Sequence, residues 1–450
     1  MTIFRRLSLG ALALLLAGTV ALSGCDGGEL LPPDPRGGDL FSRYVSLGNS
    51  ITAGFQSNGI NINTQREAYP VLVAQQMGTE FNLPELALPG CPPPLTNALT
   101  GAVVGGDPTV QCALRRPPIP TTLNNVAVPG ANVASLTTNS PNEGAATNAL
   151  TQFVLGGRTQ AEAALDVEPT FATVWIGNND VLNGAIVGTD AAPVVTSFDA
   201  FQDRYTAAIN TLKQAERLRG AVLFGVADPT IIPYLSPGVS YFGAEQQINQ
   251  FGAATYPTWG SFDVANSCAP QAAGGVGDQI LVPFRYGFQG LFLAAAQGAS
   301  VTLDCANDAP LAQRYPQLFA DGPLAAYSLL TGLEIQTLRT RVAQFNGFIQ
   351  QQAQANGWAY LSPNPDLRAL YAVGTNTPTD PTDDVIPKFP NITDPANLFG
   401  PYFSLDGIHP SGATHQLIAQ RLIQTINAQY PNQSSIPDLS GAIPAVLSGQ

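Results

Sequence analysis

The chain contains two histidines, His409 and His415, and a general base that works at neutral pH would most naturally be one of them. His409 follows Asp406 by three residues in the segment Asp-Gly-Ile-His-Pro. Within a single turn, this spacing lets the carboxylate reach Nδ1 of the imidazole, which fixes the tautomer and leaves Nε2 free to accept a proton. The same segment is also typical of a loop in which an aspartate caps the turn before a helix. We interpret His415 as a surface residue, because it falls outside the apolar face of the last predicted helix.

Ser50 is the candidate nucleophile, in the segment Leu-Gly-Asn-Ser-Ile-Thr-Ala-Gly that follows the first predicted strand. A serine at the carboxyl end of a parallel strand lies where α/β sheets bind their ligands, although Ser50 is equally typical of a helix N-cap. Acyl transfer also needs N–H donors for the oxyanion. Gly130, in Val-Pro-Gly-Ala, offers a backbone N–H, and Asn179, in Gly-Asn-Asn-Asp, offers a side-chain amide. Each of these is also typical of a turn.

Strands and helices that would position these residues alternate along the chain. Apolar runs predict strands at 44–47, 125–128, 173–176, 221–226 and 358–361. Helical periodicity predicts helices at 69–77, 201–219, 333–355 and 412–429. The alternation predicts an α/β fold with a parallel sheet. Residues 230–325 are rich in Gly, Ala and Gln without a clear period, so we interpret them as a loop-rich insertion or cap rather than an independent domain.

The N-terminus is typical of an export signal. Arg5 and Arg6 precede an apolar run over 7–22, and no later run reaches the roughly 18 apolar residues of a membrane helix. The segment Leu-Ser-Gly-Cys that ends at Cys25 resembles the bacterial lipobox. This resemblance implies cleavage of residues 1–24 and lipidation of Cys25. Residues 26–40 are rich in Gly, Pro and Asp, so we interpret 25–40 as the lipidated cysteine and a flexible tether. We therefore expect an exported protein, lipid-anchored to the bacterial cell envelope. An uncleaved anchor and an ordinary secretory signal are the alternatives.

After export, the four further cysteines would lie in an oxidising compartment, where disulfides form: Cys91, Cys112, Cys268 and Cys305. Three pairings are possible. We predict the nearest-neighbour pairing, Cys91 with Cys112 and Cys268 with Cys305, because it closes the shortest loops. A metal site is disfavoured, because the chain has no Cys-x-x-Cys and neither histidine lies near a cysteine.

Composition excludes several classes of protein. The chain of 450 residues is 45% hydrophobic and 11% charged, which excludes a disordered protein. It carries 19 basic and 32 acidic residues, for a net charge of −13, without a cationic stripe. Nucleic-acid binding and a polyanionic substrate are therefore disfavoured. We interpret Asp380, Asp383 and Asp384 as a solvated loop rather than a calcium site, since their spacing fits no EF-hand.

Taken together in their order, the four segments around Ser50, Gly130, Asn179 and His409 resemble the GDSL (SGNH) hydrolase family. The resemblance spans about 44–430 and implies a three-layer α/β/α sandwich of flavodoxin-like type, with a hydrolase domain over 41–432 and a tail over 433–450. It implies that Ser50 is the nucleophile and that His409 is the base, oriented by Asp406. The oxyanion would meet the N–H groups of Ser50 and Gly130 and the amide of Asn179. No metal or cofactor is implied.

Two residues depart from the family's pattern: Asn49 stands where an aspartate is usual, and Ile51 where leucine is usual. We expect a serine esterase or lipase that forms an acyl-enzyme on Ser50. A polysaccharide deacetylase and a lysophospholipase are alternatives of the same family, and a non-catalytic surface binding lipoprotein is the alternative of another class. The substrate would be a small-molecule, lipid or carbohydrate ester. The acyl chain and the oligomeric state stay open.

Overall fold

The computed structural model describes residues 38–109, 112, 115–146, 149–374, 384–433, 435–439, 444 and 447. The predicted signal, Cys25 and nearly all of the predicted tether lie outside these residues, as do Asp380 and Asp383. Asp384 is described and is buried rather than solvated. In the described part of the chain, no helix combines the length and apolarity needed to cross a membrane.

A parallel sheet forms the centre of the molecule. The strands, in chain order, are β1 (Tyr44–Gly48), β2 (Leu95–Asn97), β3 (Ala102–Val103), β4 (Phe171–Trp175), β5 (Gly220–Phe224), β6 (Leu235–Pro237), β7 (Ser261–Val264), β8 (Leu281–Pro283), β9 (Ser300–Leu303) and β10 (Ala359–Leu361). The central sheet has the order β1-β4-β5-β10, with all neighbours parallel.

The predicted strand at 125–128 is an extended segment along the free edge of β1. The Ser46 N–H donates to the Asn124 carbonyl at 2.8 Å, and the Val126 N–H donates to the Ser46 carbonyl at 3.0 Å. Counted as the second strand, this segment gives the order 2-1-3-4-5, which is the flavodoxin-like order.

Helices cover both faces of the sheet, because its central strands are apolar on both sides and fully buried. Val45, Val174 and Leu223 point to the face covered by the helices Gln160–Leu165, Phe198–Leu212 and Gly332–Ala355. Tyr44, Trp175 and Phe224 point to the opposite face, which the helices Tyr69–Met77 and Gly412–Gln429 cover. The architecture is therefore a three-layer α/β/α sandwich, as predicted.

The helices of the described chain are Ser50–Ala53, Ile62–Glu67, Tyr69–Met77, Ala149–Leu155, Gln160–Leu165, Asn179–Val187, Phe198–Leu212, Gly238–Thr255, Leu293–Ala296, Leu311–Arg314, Pro316–Phe319, Gly332–Ala355, Asn364–Tyr371 and Gly412–Gln429. The first and last of the predicted long helices have the predicted bounds. The helix predicted over 201–219 is displaced towards the N-terminus and ends at Leu212. The end of the predicted segment is not helical, because Arg219 already lies beside β4. Its N–H donates to the Thr170 carbonyl, and β5 begins at the next residue.

Residues 230–325 are more regular than their sequence indicates. They contain the helix Gly238–Thr255, a π-helix at Arg285–Phe292, the antiparallel pair β6–β8 and the parallel pair β7–β9. Their aromatic residues share one apolar core with the helices on the first face of the sheet. Both predicted disulfides, Cys91–Cys112 and Cys268–Cys305, are present.

His415 is fully buried, so the prediction of a surface position is wrong. The helix that carries it packs against both the helix Tyr69–Met77 and the sheet. These two contacts bury residues outside the single apolar face that the sequence analysis considered. The Tyr69 N–H donates to Nδ1 of His415 at 3.2 Å. Burial lowers the pKa of His415 to about 3, and the charge of His409 acts in the same direction. His415 is therefore a neutral core residue.

Candidate active site

Ser50 begins a one-turn helix, Ser50–Ala53, directly after β1. Asn49 caps this turn, since its side-chain oxygen accepts the N–H of Ile51 at 3.1 Å. The asparagine that departs from the family pattern thus has a local structural role. Its Nδ2 group is buried without a hydrogen-bond partner among the described residues.

Gly48 fixes the end of β1, just before the serine. A Cβ at this position would lie 2.7 Å from the carbonyl oxygen of Trp175, so no larger residue fits. Gln160 clamps the glycine from one side, because its amide accepts from the Gly48 N–H and donates to the Gly48 carbonyl, both at 2.9 Å. The position of Ser50 relative to the sheet is therefore set by buried backbone contacts.

Ser50, His409 and Asp406 form a continuous hydrogen-bonded chain. The Ser50 hydroxyl lies 2.8 Å from Nε2 of His409, and Nδ1 of the same ring lies 2.8 Å from Oδ2 of Asp406. An ionised Asp406 places the ring proton on Nδ1, so Nε2 accepts from the serine hydroxyl. The ring of Phe55, with its centroid 4.9 Å from that of His409, packs against the imidazole. The arrangement can deprotonate a serine as it attacks.

Asp406 is held ionised in a buried position. Its Oδ1 accepts the backbone N–H groups of Ile408 and His409, both at 2.9 Å, and the hydroxyl of Ser404 at 3.2 Å. Its Oδ2 accepts the Asn58 N–H at 2.7 Å in addition to the imidazole. Burial raises the pKa of Asp406, but the charge of His409 and these hydrogen bonds outweigh it and lower the pKa to about 2.

The two predicted oxyanion donors lie beside Ser50. Gly130 and Asn179 line the same cavity as the serine and the histidine. Gly130 has φ +81°, a left-handed conformation that favours glycine and turns its peptide in this loop. Asn179 donates one amide hydrogen to the Ala131 carbonyl at 2.8 Å, which fixes the amide plane and leaves its second hydrogen for a ligand.

Asp180 links the two oxyanion segments, a role that the sequence analysis missed. This carboxylate is buried, and it accepts the Val133 N–H at 2.9 Å and the Thr196 hydroxyl at 2.8 Å. Burial raises its pKa to about 6, although those hydrogen bonds and the charge of Arg204 act in the opposite direction. The signal was present in the sequence, because Asp180 directly follows Asn179. Its hydrogen bond to Val133, three residues after Gly130, is however a tertiary contact that the sequence does not show.

An open cavity of about 250 Å³ lies above the serine. It is lined by Ser50, Phe55, Asn58, Leu95, Ala98, Pro129, Gly130, Asn179, Leu182, Ile186, Tyr234, Phe284, Arg285, Gln289, Leu405, Asp406, Ile408 and His409. Residues 230–325 therefore contribute one wall and do not block the serine. The described residues contain no cluster of three or more His, Cys, Asp or Glu side chains that could hold a metal ion.

An apolar cavity of about 110 Å³ lies on the other side of Ile408. It is bounded by Trp175 and Phe224 at the carboxyl ends of the strands, and by Leu367 and Leu417 on the helices above them. A smaller space of about 40 Å³, lined by Ser50, Ile51, Ala227, Ile232 and Ile408 among others, shares residues with both cavities. Ser50 and His409 line the largest and the smallest of these three spaces, and neither residue lines the apolar cavity.

No protein-family model matches the chain, and no curated protein is similar to it in sequence. Among solved structures, it is similar to variants of Axe2, an acetyl-xylooligosaccharide esterase from Geobacillus stearothermophilus. One variant has a TM-score of 0.34 and 10% identity, and another has 0.33 and 11%. Both matches cover 85% of this chain and 93% of the other. Likeness at this level identifies no family, so the chemistry must follow from the residues of the site itself.

Proposed function

We propose that this chain is a serine hydrolase of carboxylic esters, of the GDSL (SGNH) type. One observation carries the proposal, namely the unbroken chain from the Ser50 hydroxyl through His409 to a buried, ionised Asp406, with both hydrogen bonds at 2.8 Å. The open cavity above Ser50 supports it further, because a substrate can reach the hydroxyl.

In the proposed reaction, Ser50 Oγ attacks the ester carbonyl carbon while its proton passes to Nε2 of His409. The N–H groups of Ser50 and Gly130 and the free amide hydrogen of Asn179 stabilise the oxyanion. The C–O bond to the alcohol then breaks, the alcohol takes the proton from His409, and the acyl group stays on Ser50. Water attacks this acyl-enzyme, giving its proton to His409. The acid then leaves, and the proton returns to the serine.

The surroundings of the serine favour an ester hydrolase over the non-catalytic binding lipoprotein. A binding protein that had lost catalysis would be expected to have separated triad members or an obstructed serine. Neither feature is present here. An acyl chain longer than acetyl, as in an esterase or lysophospholipase, would have to extend from Ser50 through the small space lined by Ile51 and Ile408 to use the apolar cavity. A polysaccharide deacetylase remains the alternative, and it would leave this cavity unused.

The test is hydrolysis of p-nitrophenyl acetate, butyrate, octanoate and palmitate by the full-length protein and by Ser50→Ala. We expect wild type to turn over at least one ester and Ser50→Ala to lose roughly a thousandfold or more in kcat/KM. Ser46→Ala is the matched control, because it removes another buried hydroxyl, from β1 itself, that bonds Thr173 rather than His409. Equal activity of wild type and Ser50→Ala would exclude the mechanism. Inactivity of both proteins on these esters would exclude a simple esterase, and inactivity on sugar acetates as well would favour the binding protein.

We also propose export and lipid anchoring to the bacterial cell envelope through Cys25, on the strength of the N-terminal sequence alone. Metabolic labelling with a palmitate analogue in a bacterial host should label wild type and not Cys25→Ser. Labelling of both proteins, or of neither, would contradict the proposal.

A further inference from the structure

One wall of the cavity above Ser50 is polar and comes from residues 230–325. Tyr234, Arg285 and Gln289 line the same space as Ser50 and His409. Arg285 begins the π-helix Arg285–Phe292, and Gln289 lies four residues further along it. π-Helical turns are uncommon and are frequently found at functional sites. The site therefore contains a permanent positive charge that the proposed acyl transfer does not use.

Arg285 has no acidic partner. Among the described residues, none of the ion pairs within 4.0 Å includes this arginine. Its Nη1 donates to the hydroxyl of Tyr327 at 2.6 Å, and the guanidinium carbon lies 5.8 Å from the centroid of that ring. These contacts orient the side chain without neutralising it. The other guanidinium N–H groups have no acceptor in the described part of the protein, so they can donate to a ligand.

Tyr234 adds a second unused donor to the same wall. Its hydroxyl is buried and makes no hydrogen bond of acceptable geometry with any described residue. Burial raises the pKa of this hydroxyl, and the charge of Asp406 acts in the same direction, whereas the charge and the backbone N–H of Arg285 lower it. A buried hydroxyl without an acceptor is unfavourable unless a ligand or water supplies one.

Backbone hydrogen bonds fix the polar wall relative to residues 404–409, the catalytic loop that carries Asp406 and His409. The Tyr234 N–H donates to the carbonyl of Gly407 at 3.0 Å, two residues before His409, and the Phe284 N–H donates to the Tyr234 carbonyl at 2.8 Å. The ring of Phe284 also packs against Phe399, with centroids 5.2 Å apart. Two backbone hydrogen bonds thus connect Arg285 to the base, so its charge has a fixed position relative to the reacting ester.

We propose that Arg285, assisted by Tyr234 and Gln289, binds an anionic group, a carboxylate or a phosphate, that the ester substrate carries. This inference rests on the proposed ester hydrolysis and adds the substrate class. A guanidinium presents paired N–H donors that match carboxylate and phosphate oxygens. The net charge of −13 disfavours polyanionic partners, but a single anion can bind beside one unpaired cation. Asp406 lines the same cavity and its charge, which also acts on Tyr234, opposes a bound anion, so the anion has to lie on the Arg285 side of the space.

The experiment compares charged esters with neutral esters of the same shape. In one arm the charge lies on the alcohol side: 3-acetoxybenzoate and 3-acetoxyphenyl phosphate are compared with 3-acetoxybenzamide. In the other arm it lies on the acyl side: monophenyl adipate is compared with its primary amide. We expect a preference in kcat/KM of roughly tenfold or more for the anion in one of the arms, from one charge-assisted hydrogen-bonding site. The arm and the anion that give it identify the source of the charge.

The preference should disappear in Arg285→Gln and persist in part in Arg285→Lys, which keeps the charge but not the planar donor set. Arg314→Gln is the matched control. Arg314 also lies within residues 230–325 and donates to a tyrosine hydroxyl, that of Tyr286 at 2.5 Å, but it does not line the cavity. It should leave the preference unchanged. Thermal melting of each variant shows whether it is folded.

A binding measurement separates failure of this inference from failure of the proposed function. In the Ser50→Ala background, both pairs are titrated by calorimetry: 3-acetoxybenzoate with 3-acetoxybenzamide, and monophenyl adipate with its primary amide. In one pair the anion should bind roughly tenfold or more tightly than the amide, and Arg285→Gln should remove the difference. The inference is overturned if no arm and no titration favours the anion, or if the preference survives Arg285→Gln. If wild type hydrolyses neutral esters without a preference for anions, the ester hydrolase stands and only the anion site fails.

Discussion

Replacing Asp406 with asparagine is the most informative single perturbation of the site. Asp406 receives donors on both oxygens: the N–H groups of Ile408 and His409 on Oδ1, and the Asn58 N–H with the imidazole on Oδ2. An asparagine has one acceptor oxygen and one NH₂ group. Whichever way the amide turns, its NH₂ faces two N–H donors in a buried place. A buried donor without an acceptor costs about 1–3 kcal/mol, so we expect the unfolding free energy to fall by at least that amount.

The catalytic loss can be worked from the pKa of Asp406. Its fall from the usual 3.8 to about 2 corresponds to roughly 2 kcal/mol of net interaction, to which the charge of His409 and the hydrogen bonds to the carboxylate contribute. Because burial acts in the opposite direction, the attraction itself exceeds this net value. The same attraction stabilises the imidazolium that forms as Ser50 loses its proton. Loss of the correct tautomer adds to the effect, so kcat/KM should fall at least roughly fiftyfold and as much as about ten-thousandfold.

The assay is kcat/KM for the best p-nitrophenyl ester at neutral pH, together with the melting temperature. Asp228→Asn is the matched control, because Asp228 is also a buried carboxylate that accepts hydrogen bonds from its own loop, at Thr230, but it does not line the cavity above Ser50. We expect the control to keep kcat/KM within a few-fold of wild type. An Asp406→Asn protein within about fivefold of wild type in kcat/KM would refute the role of Asp406 in orienting and stabilising His409.

Three further predictions follow from groups around the site. The pKa of Asp180 is raised to about 6 in the folded protein, so the protonated carboxyl favours folding. Its contribution to the free energy of unfolding is fully present below about pH 4, and roughly 3 kcal/mol of it is lost as the pH rises through 6. Chemical denaturation of wild type and Asp180→Asn across this range should show the variant lacking that loss, and parallel pH profiles would contradict the prediction. Gly130→Ala places a side chain at φ +81°, which should lower stability by about 1 kcal/mol and kcat/KM by roughly tenfold or more, as measured by melting and kinetics. Replacing Cys268 and Cys305 by alanine opens a loop of 37 residues, which should cost about 4 kcal/mol in denaturant unfolding and weaken any anion preference more than activity on neutral esters.

The sequence predicted the sheet and its main helices because their signals are local. Tyr69–Met77 and Gly412–Gln429 have the predicted bounds, and each has a boundary residue that can be recognised in the sequence. A glycine ends the first helix after Met77, and a serine caps the start of the second helix before Gly412. The strands were found because parallel strands buried on both faces are continuous apolar runs. The helix Gly238–Thr255 was not predicted. It has no side-chain cap, and its glycines and glutamines interrupt the apolar stripe that a periodicity argument needs.

Within the candidate site, the residues that form short motifs could be found from the sequence, and those that act through long-range contacts could not. Ser50, Asn179 and His409 each stand in a segment of recognisable composition. Arg285 stands in no such segment, and it reaches the cavity only through the pairing of its chain with Tyr234 and the catalytic loop. His415 illustrates the same limit, because its burial depends on a neighbouring helix more than 300 positions earlier in the chain.

The hydrogen bonds that join Ser57 and Asn58 to residues 404–406 connect parts of the chain that are separated by 347 and 348 positions. Contacts between such distant parts of the chain close a large loop, and the chain must lose conformational entropy before these contacts can form. During synthesis, Ser50 emerges long before its base exists, so a nascent chain holds its nucleophile without the means to activate it. A chain truncated before His409 stays inactive in the same way. The proposed hydrolysis would therefore begin only after the segment that carries His409 has been made and has docked beside Ser57 and Asn58, which would make activity a direct readout of that docking.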